Sequence, residues 1–158
     1  MARFLTQVLR ERVLRGLVAG IIAAAATAGV LLGLGRARGA VFGLLNDAAH
    51  IVMGERARIV DGAHATITPL AMLVHLVSLL MWGVLFALLA ATLRGWRLAL
   101  AAVLFAAAIL AIDTLLLPSS LRPGFETAMT VAELVLLYAI MALALALGVR
   151  EARARAVA

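Results

Sequence analysis

Long apolar runs dominate the chain, covering residues 16–35, 67–93, 98–117 and 125–149. Each approaches or exceeds the roughly 20 residues that carry an α-helix, at about 1.5 Å per residue, across a hydrocarbon layer about 30 Å thick. The first run holds no charge and is bounded by Arg15 and Arg36. It is longer than the 7 to 15 or so apolar residues of a secretory signal, so it reads as a span. Pro69 falls in the first turn of the second run, where its missing N–H costs no hydrogen bond. Arg94-Gly95-Trp96-Arg97 joins the second run to the third so tightly that the two must lie side by side and antiparallel. Two prolines and a glycine in Pro118 to Gly124 end the third run. The pattern predicts an all-α polytopic membrane protein, a bundle of four transmembrane helices forming one membrane domain over residues 1–158.

Two further segments are amphipathic. Met1, Phe4, Leu5, Val8 and Leu9 recur at helical spacing among arginines, which predicts an interfacial helix over residues 1–14 or a solvated extension of the first span. Between the first two spans, Val41, Leu44, Leu45, Ala48, Ile51 and Val52 predict an amphipathic helix over residues 39–53, lying on or dipping into the outer surface and ended by Gly54. Asn46, Asp47 and His50 fall on its other face, with Asn46 and His50 one turn apart. Within the first span, Gly16-x3-Gly20 and Gly29-x3-Gly33 offer grooves for close helix approach, either inside the bundle or between two copies in a homo-oligomer.

Composition sharpens the class. Hydrophobic residues make up 66% of the chain, against roughly 45 to 50% in soluble domains, and the mean hydropathy is +1.14. The net charge of +6 rests on arginine alone. Arg3, Arg10, Arg12, Arg15, Arg94, Arg97, Arg150, Arg153 and Arg155 fall on the side of the termini, and Arg36, Arg38, Arg56, Arg58 and Arg122 on the other, which predicts cytoplasmic termini. Charge spread along span ends points to the lipid bilayer as partner, and no nucleic acid is expected. With no cysteine there is no disulfide relay, thiolate metal site or c-type haem attachment. Without lysine there is no Schiff base, and no phosphate-binding loop ending in Lys-Ser/Thr. The Ala- and Arg-rich composition fits a GC-rich bacterial genome.

Three ionisable residues, His75, Asp113 and Glu133, interrupt the spans. His75 and Glu133 each lie about 12 Å, and Asp113 about 6 Å, from the outer ends of their helices, which predicts one polar layer in the outer half of the bundle. Ser78 and Trp82 share the face of His75, Thr130 precedes Glu133 by one turn, Thr27 lies at a similar height, and Asn46 or His50 is placed to close the layer from above.

Such a layer suits binding of a polar ligand or cation, or coupling of protons. The alternative is a structural or accessory subunit of a larger membrane complex, with the layer serving helix packing. Neither metal nor cofactor is expected: Glu-x-x-His and His-Glu-x-x-His pairs are missing, and a single histidine lies within a span. Acids on the third and fourth spans resemble the architecture of lipoprotein signal peptidase, but that family uses two aspartates within Asn- and Gly-containing motifs that this sequence lacks. An enzyme is therefore not expected, and no catalytic residue is assigned. Asn46-Asp47-Ala48-Ala49-His50, Gly54-Glu55-Arg56-Ala57 and His75 through Trp82-Gly83 resemble a pattern in a family of small, uncharacterised four-span proteins of bacterial inner membranes. The resemblance covers about a quarter of the chain. It implies an inner-membrane location and a shared role for the Asn-x3-His loop, with no assigned activity.

Overall fold

Long stretches of Ala, Leu and Val hold no proline beyond Pro69 in a first turn, so the backbone sustains helical hydrogen bonding over many turns. The computed structural model describes residues 2–57 and 60–155, with backbone alone for residues 2–5. It is all-α, with four long helices: α1 (Ala2–Ala37), α2 (Ile67–Leu89), α3 (Trp96–Ala111) and α4 (Val131–Arg155). A π-turn, Ile112–Leu116, prolongs α3. All four are long and apolar enough to cross a bilayer, α3 when counted through Leu116. The protein is an integral membrane protein with four spans, and outward-facing Met72, Leu73, Val77, Met81, Leu136 and Leu143 are the side chains that meet lipid.

Helix α1 packs against both α2 and α4, and α4 against α3. The α1–α2 crossing is made by glycine. Gly16 and Gly20 lie against the backbone of Gly83, Val84 and Leu79, so close that a Cβ on any of the three glycines would strike main chain. The first small-x3-small pair is thus used within the chain, whereas Gly29 and Gly33 have no atom within 4 Å of a Cβ position. Between α2 and α3 the gap is bridged by aromatic rings, with Phe105 at 6.0 Å from Trp82 and 5.3 Å from Phe86.

Several boundaries differ from the sequence expectation. A single helix runs from Ala2 to Ala37 without a break at residue 14. Met1 and the side chains of Phe4 and Leu5, on which the interfacial face was drawn, lie outside the described residues, as does Arg58. Helix α2 stops at Leu89 rather than near residue 93. The fourth apolar run is not one helix from residue 125. A short turn, Phe125–Ala128, is followed by extended backbone at Met129 (φ −118, ψ 149), and α4 starts afresh at Val131.

The α1–α2 connection is helical, as three successive turns, Gly43–Asn46, Asp47–Ala49 and His50–Met53, broken at Gly54 with φ +58, after which a 3-10 turn covers Gly54–Ala57. Its polar residues do not face water. Asn46, Asp47 and His50 are as buried as Leu44, Leu45, Ala48 and Ala49, because the loop folds over the end of the bundle. Buried polar groups must be bonded. Asn46 Nδ2 donates to the carbonyls of Val60 (2.8 Å) and Gly62 (3.0 Å), and its Oδ1 accepts from Thr68 Oγ1 (2.9 Å). His64 Nδ1 accepts the free N–H groups of Thr66 and Ile67 at the start of α2.

Candidate functional site

His75 lies on the buried face of α2, directed at α1. Its Nε2 is 3.0 Å from Thr27 Oγ1 and 3.2 Å from the Ala24 carbonyl. The Thr27 hydroxyl already donates to the Ala23 carbonyl at 2.7 Å, the back-bond a helical threonine favours. Both neighbours of Nε2 therefore accept, which assigns the ring proton to Nε2. In the neutral ring Nδ1 is then a lone-pair acceptor.

Asp113 sits in the π-turn, where Leu117 N–H bonds the Ile112 carbonyl at 3.0 Å. A π-turn inserts one residue and rotates the next part of the helix about its axis, and such turns are frequent at functional sites. Here it brings the carboxylate to α4, where Tyr138 Oη donates to Asp113 Oδ2 at 2.6 Å. Glu126, in the short turn before α4, lies within electrostatic reach of both Asp113 and Tyr138. One of its oxygens, Oε2, is buried with no hydrogen-bond partner.

His75, Asp113 and Tyr138 line one cavity of about 80 Å³ between the four helices. Thr27 comes from α1, His75, Ser78 and Trp82 from α2, Asp113 from the π-turn and Tyr138 from α4. Ala48 and Ile51 of the α1–α2 connection, with Pro123 and Phe125 of the α3–α4 connection, form its roof. The Ser78 hydroxyl and the Trp82 indole N–H have no hydrogen-bond partner among the described residues. The volume holds a few waters or a small ion, far below the roughly 300 to 1,000 Å³ of sites for drug-sized ligands.

Of the predicted polar layer, His75 and Asp113 share this cavity with Ser78 and Trp82, whereas Glu133 stands apart from it. Because α4 begins at Val131, Glu133 lies in its first turn rather than deep in a span. It closes a capping box: Glu133 Oε2 accepts from the Thr130 N–H (2.7 Å) and hydroxyl (2.8 Å), while the Glu133 N–H donates to Thr130 Oγ1 (3.3 Å). Arg38 then donates to both Glu133 oxygens (2.6 and 2.5 Å) and to the Ala128 carbonyl (2.7 Å), tying the end of α1 to the start of α4. Thr130 supports that cap, not the cavity.

His50 bonds the Arg122 carbonyl through Nδ1 (2.9 Å) and Glu55 through Nε2 (3.2 Å), so it joins the two connections that roof the cavity. Asn46 holds the α1–α2 connection together. Sequence reasoning missed Tyr138, Glu126 and Arg38. The Thr-x-x-Glu signature at Thr130 to Glu133 was a readable sign that a helix starts there. Tyr138, the chain's single tyrosine, stands in an otherwise apolar span, a second readable sign.

Among the described residues there is no group of three or more His, Asp or Glu side chains placed to hold a metal ion. Comparison with known proteins gives no match to a family model, to a curated protein or to a solved structure.

Proposed function

We propose that the cavity at His75 and Asp113 exchanges protons or holds a small cation inside the membrane. The observation that carries this reading is its lining: an imidazole and a carboxylate from different helices, beside Ser78 and Tyr138, around about 80 Å³. That size favours a proton, a cation or water over an organic ligand. Glu126, outside the cavity lining, adds a second carboxyl group that acts electrostatically on Asp113. A cation in the cavity would relieve the repulsion between two such acids in low dielectric. The arginine distribution supports cytoplasmic termini, with the cavity in the outer half of the bilayer. Together with the resemblance at the Asn-x3-His loop, it supports a place in the bacterial inner (cytoplasmic) membrane. One four-span chain is small for a transport path, so function as a homo-oligomer or within a larger membrane complex belongs to this reading.

The test is proton and monovalent-cation flux in proteoliposomes. His75→Phe and Asp113→Asn should each abolish a flux that the parent protein supports, and Glu133→Gln should leave it in place. No flux with the parent, or flux unchanged in both cavity variants, overturns the reading.

A second reading rests on the same bonds. Thr27–His75 links α1 to α2 and Asp113–Tyr138 links the α3 extension to α4, as in an accessory subunit whose polar groups set helix register. Interhelical hydrogen bonds in membranes contribute about 0.6 kcal/mol each on average, so such a role concerns geometry more than stability.

A further inference from the structure

At the end of the bundle that carries the termini, far from the cavity, α3 and α4 flank a lipid-facing furrow. Ala99, Leu143, Ala146 and Leu147 line it, with Arg94 and Arg150 at its mouth. It continues along the helix pair, since Ala99, Leu143 and Ala146 also line the next stretch, which runs on to Leu110 of α3. From Ala99 to Leu110 is about 16 Å at 1.5 Å per residue. That matches the hydrocarbon depth of one leaflet, about half of 30 Å.

The mouth of the furrow carries uncompensated positive charge. The acids at this end, Glu11 and Glu151, are taken by Arg15 and Arg155. Arg153 is committed to the carbonyls of Ala90, Ala91 and Leu93 at the end of α2, and both Arg15 and Arg94 lie within electrostatic reach of it. Neither Arg94 nor Arg150 has an ion pair among the described residues. An anion at this point would relieve the repulsion. The furrow below it asks for a hydrocarbon chain attached to that anion.

We propose that the α3–α4 furrow binds one anionic phospholipid of the surrounding bilayer, with the headgroup phosphate between Arg94 and Arg150 and an acyl chain along Ala99, Val103 and Ala146. Basic pockets between transmembrane helices recognise lipid headgroups by this combination of charge and apolar surface. A soluble phosphate compound would use the arginines but leave the furrow unfilled.

Native mass spectrometry of the full chain released from detergent micelles, titrated with phosphatidylglycerol or with phosphatidylcholine of the same acyl chains, tests this. One phosphatidylglycerol should be retained about tenfold more tightly than phosphatidylcholine. Arg94→Gln with Arg150→Gln should remove that preference, while Arg10→Gln with Arg97→Gln, an equal charge loss at the same end, should keep it. Ala146→Phe, which fills the furrow and leaves every arginine in place, should weaken retention of phosphatidylglycerol. Equal effects of the two charge pairs, no preference in the parent, no effect of Ala146→Phe, or complete displacement of the lipid by inorganic phosphate would each overturn the proposal.

Discussion

Replacing Gly83 by alanine adds one methyl group where α1 and α2 meet backbone to backbone. A Cβ there would lie 2.5 Å from the Gly16 carbonyl oxygen, 2.6 Å from Gly20 N and 2.7 Å from Gly20 Cα. All three obstacles are main chain, so no side chain can rotate away. Reaching an ordinary separation of about 3.5 Å requires α1 and α2 to part by about 1 Å. Further along the same interface stands the Thr27–His75 hydrogen bond, 3.0 Å long. Opened by the same amount it would be about 4 Å, beyond hydrogen-bonding range. Overpacking of this kind costs about 1 to 3 kcal/mol, and loss of the interhelical bond adds about 0.6 kcal/mol. Gly29→Ala is the internal control. It lies on α1 with open space around its Cβ position, and gains up to about 1 kcal/mol of helix propensity. Unfolding of the micelle-bound protein by dodecyl sulfate, followed by circular dichroism, should show a lowered midpoint for Gly83→Ala and an equal or raised one for Gly29→Ala. Equal midpoints for Gly83→Ala and the parent would refute a backbone-limited crossing.

Three other substitutions have expected outcomes. Thr130→Ala removes the N-cap of α4 and should cost about 1 kcal/mol in the same unfolding measurement, with proton or cation flux unaffected. Asn46→Ala strips the partner of Thr68 and of two loop carbonyls. With about 1 kcal/mol lost for each of these three hydrogen bonds, limited proteolysis should cut the α1–α2 connection much faster than in the parent. Arg153→Gln frees the carbonyls at the end of α2. Amide exchange should accelerate through residues 90–97, while the α1–α2 crossing keeps its protection.

The four spans were legible because apolar length is a coarse signal that survives errors of several residues. The break before α4 was not legible from hydropathy, since Phe125, Met129 and Val131 are all apolar and the window reads straight through them. Only Thr130 with Glu133 marks the new start, and that signal is chemical rather than hydropathic. Missing it placed Glu133 deep in a span and so in the polar layer, whereas the acid that approaches Asp113 is Glu126, seven residues earlier. The π-turn left no mark in the sequence, because the choice between i→i−4 and i→i−5 bonding is decided by what Asp113 meets across the bundle. Burial of Asn46 and His50 was equally unreadable. A helix with polar residues on one face looks the same whether that face meets water or a folded-over loop.

The position of the cavity comes from how the four helices are spaced. Glycine draws α1 onto α2, and Gly148 meets Ala19 where α1 crosses α4, so these contacts are close along the end near the termini. Helix α3 is held by α4, leaving a wedge between α2 and α3. Phe86, Phe105 and Trp82 fill that wedge in its middle. One turn beyond Trp82, toward the loops, large rings give way to Ser78, His75 and Asp113, which are too small to fill the same width. Hydrocarbon could close such a gap more cheaply than groups that lose their hydration. A sequence under pressure for packing alone would carry leucine or phenylalanine at positions 75 and 113. The polar residues stand where the aromatic filling stops, under a roof that His50 ties together. This spacing is what an internal site for a proton or small cation requires, and it is why the cavity rather than the Glu133 cap carries the functional reading.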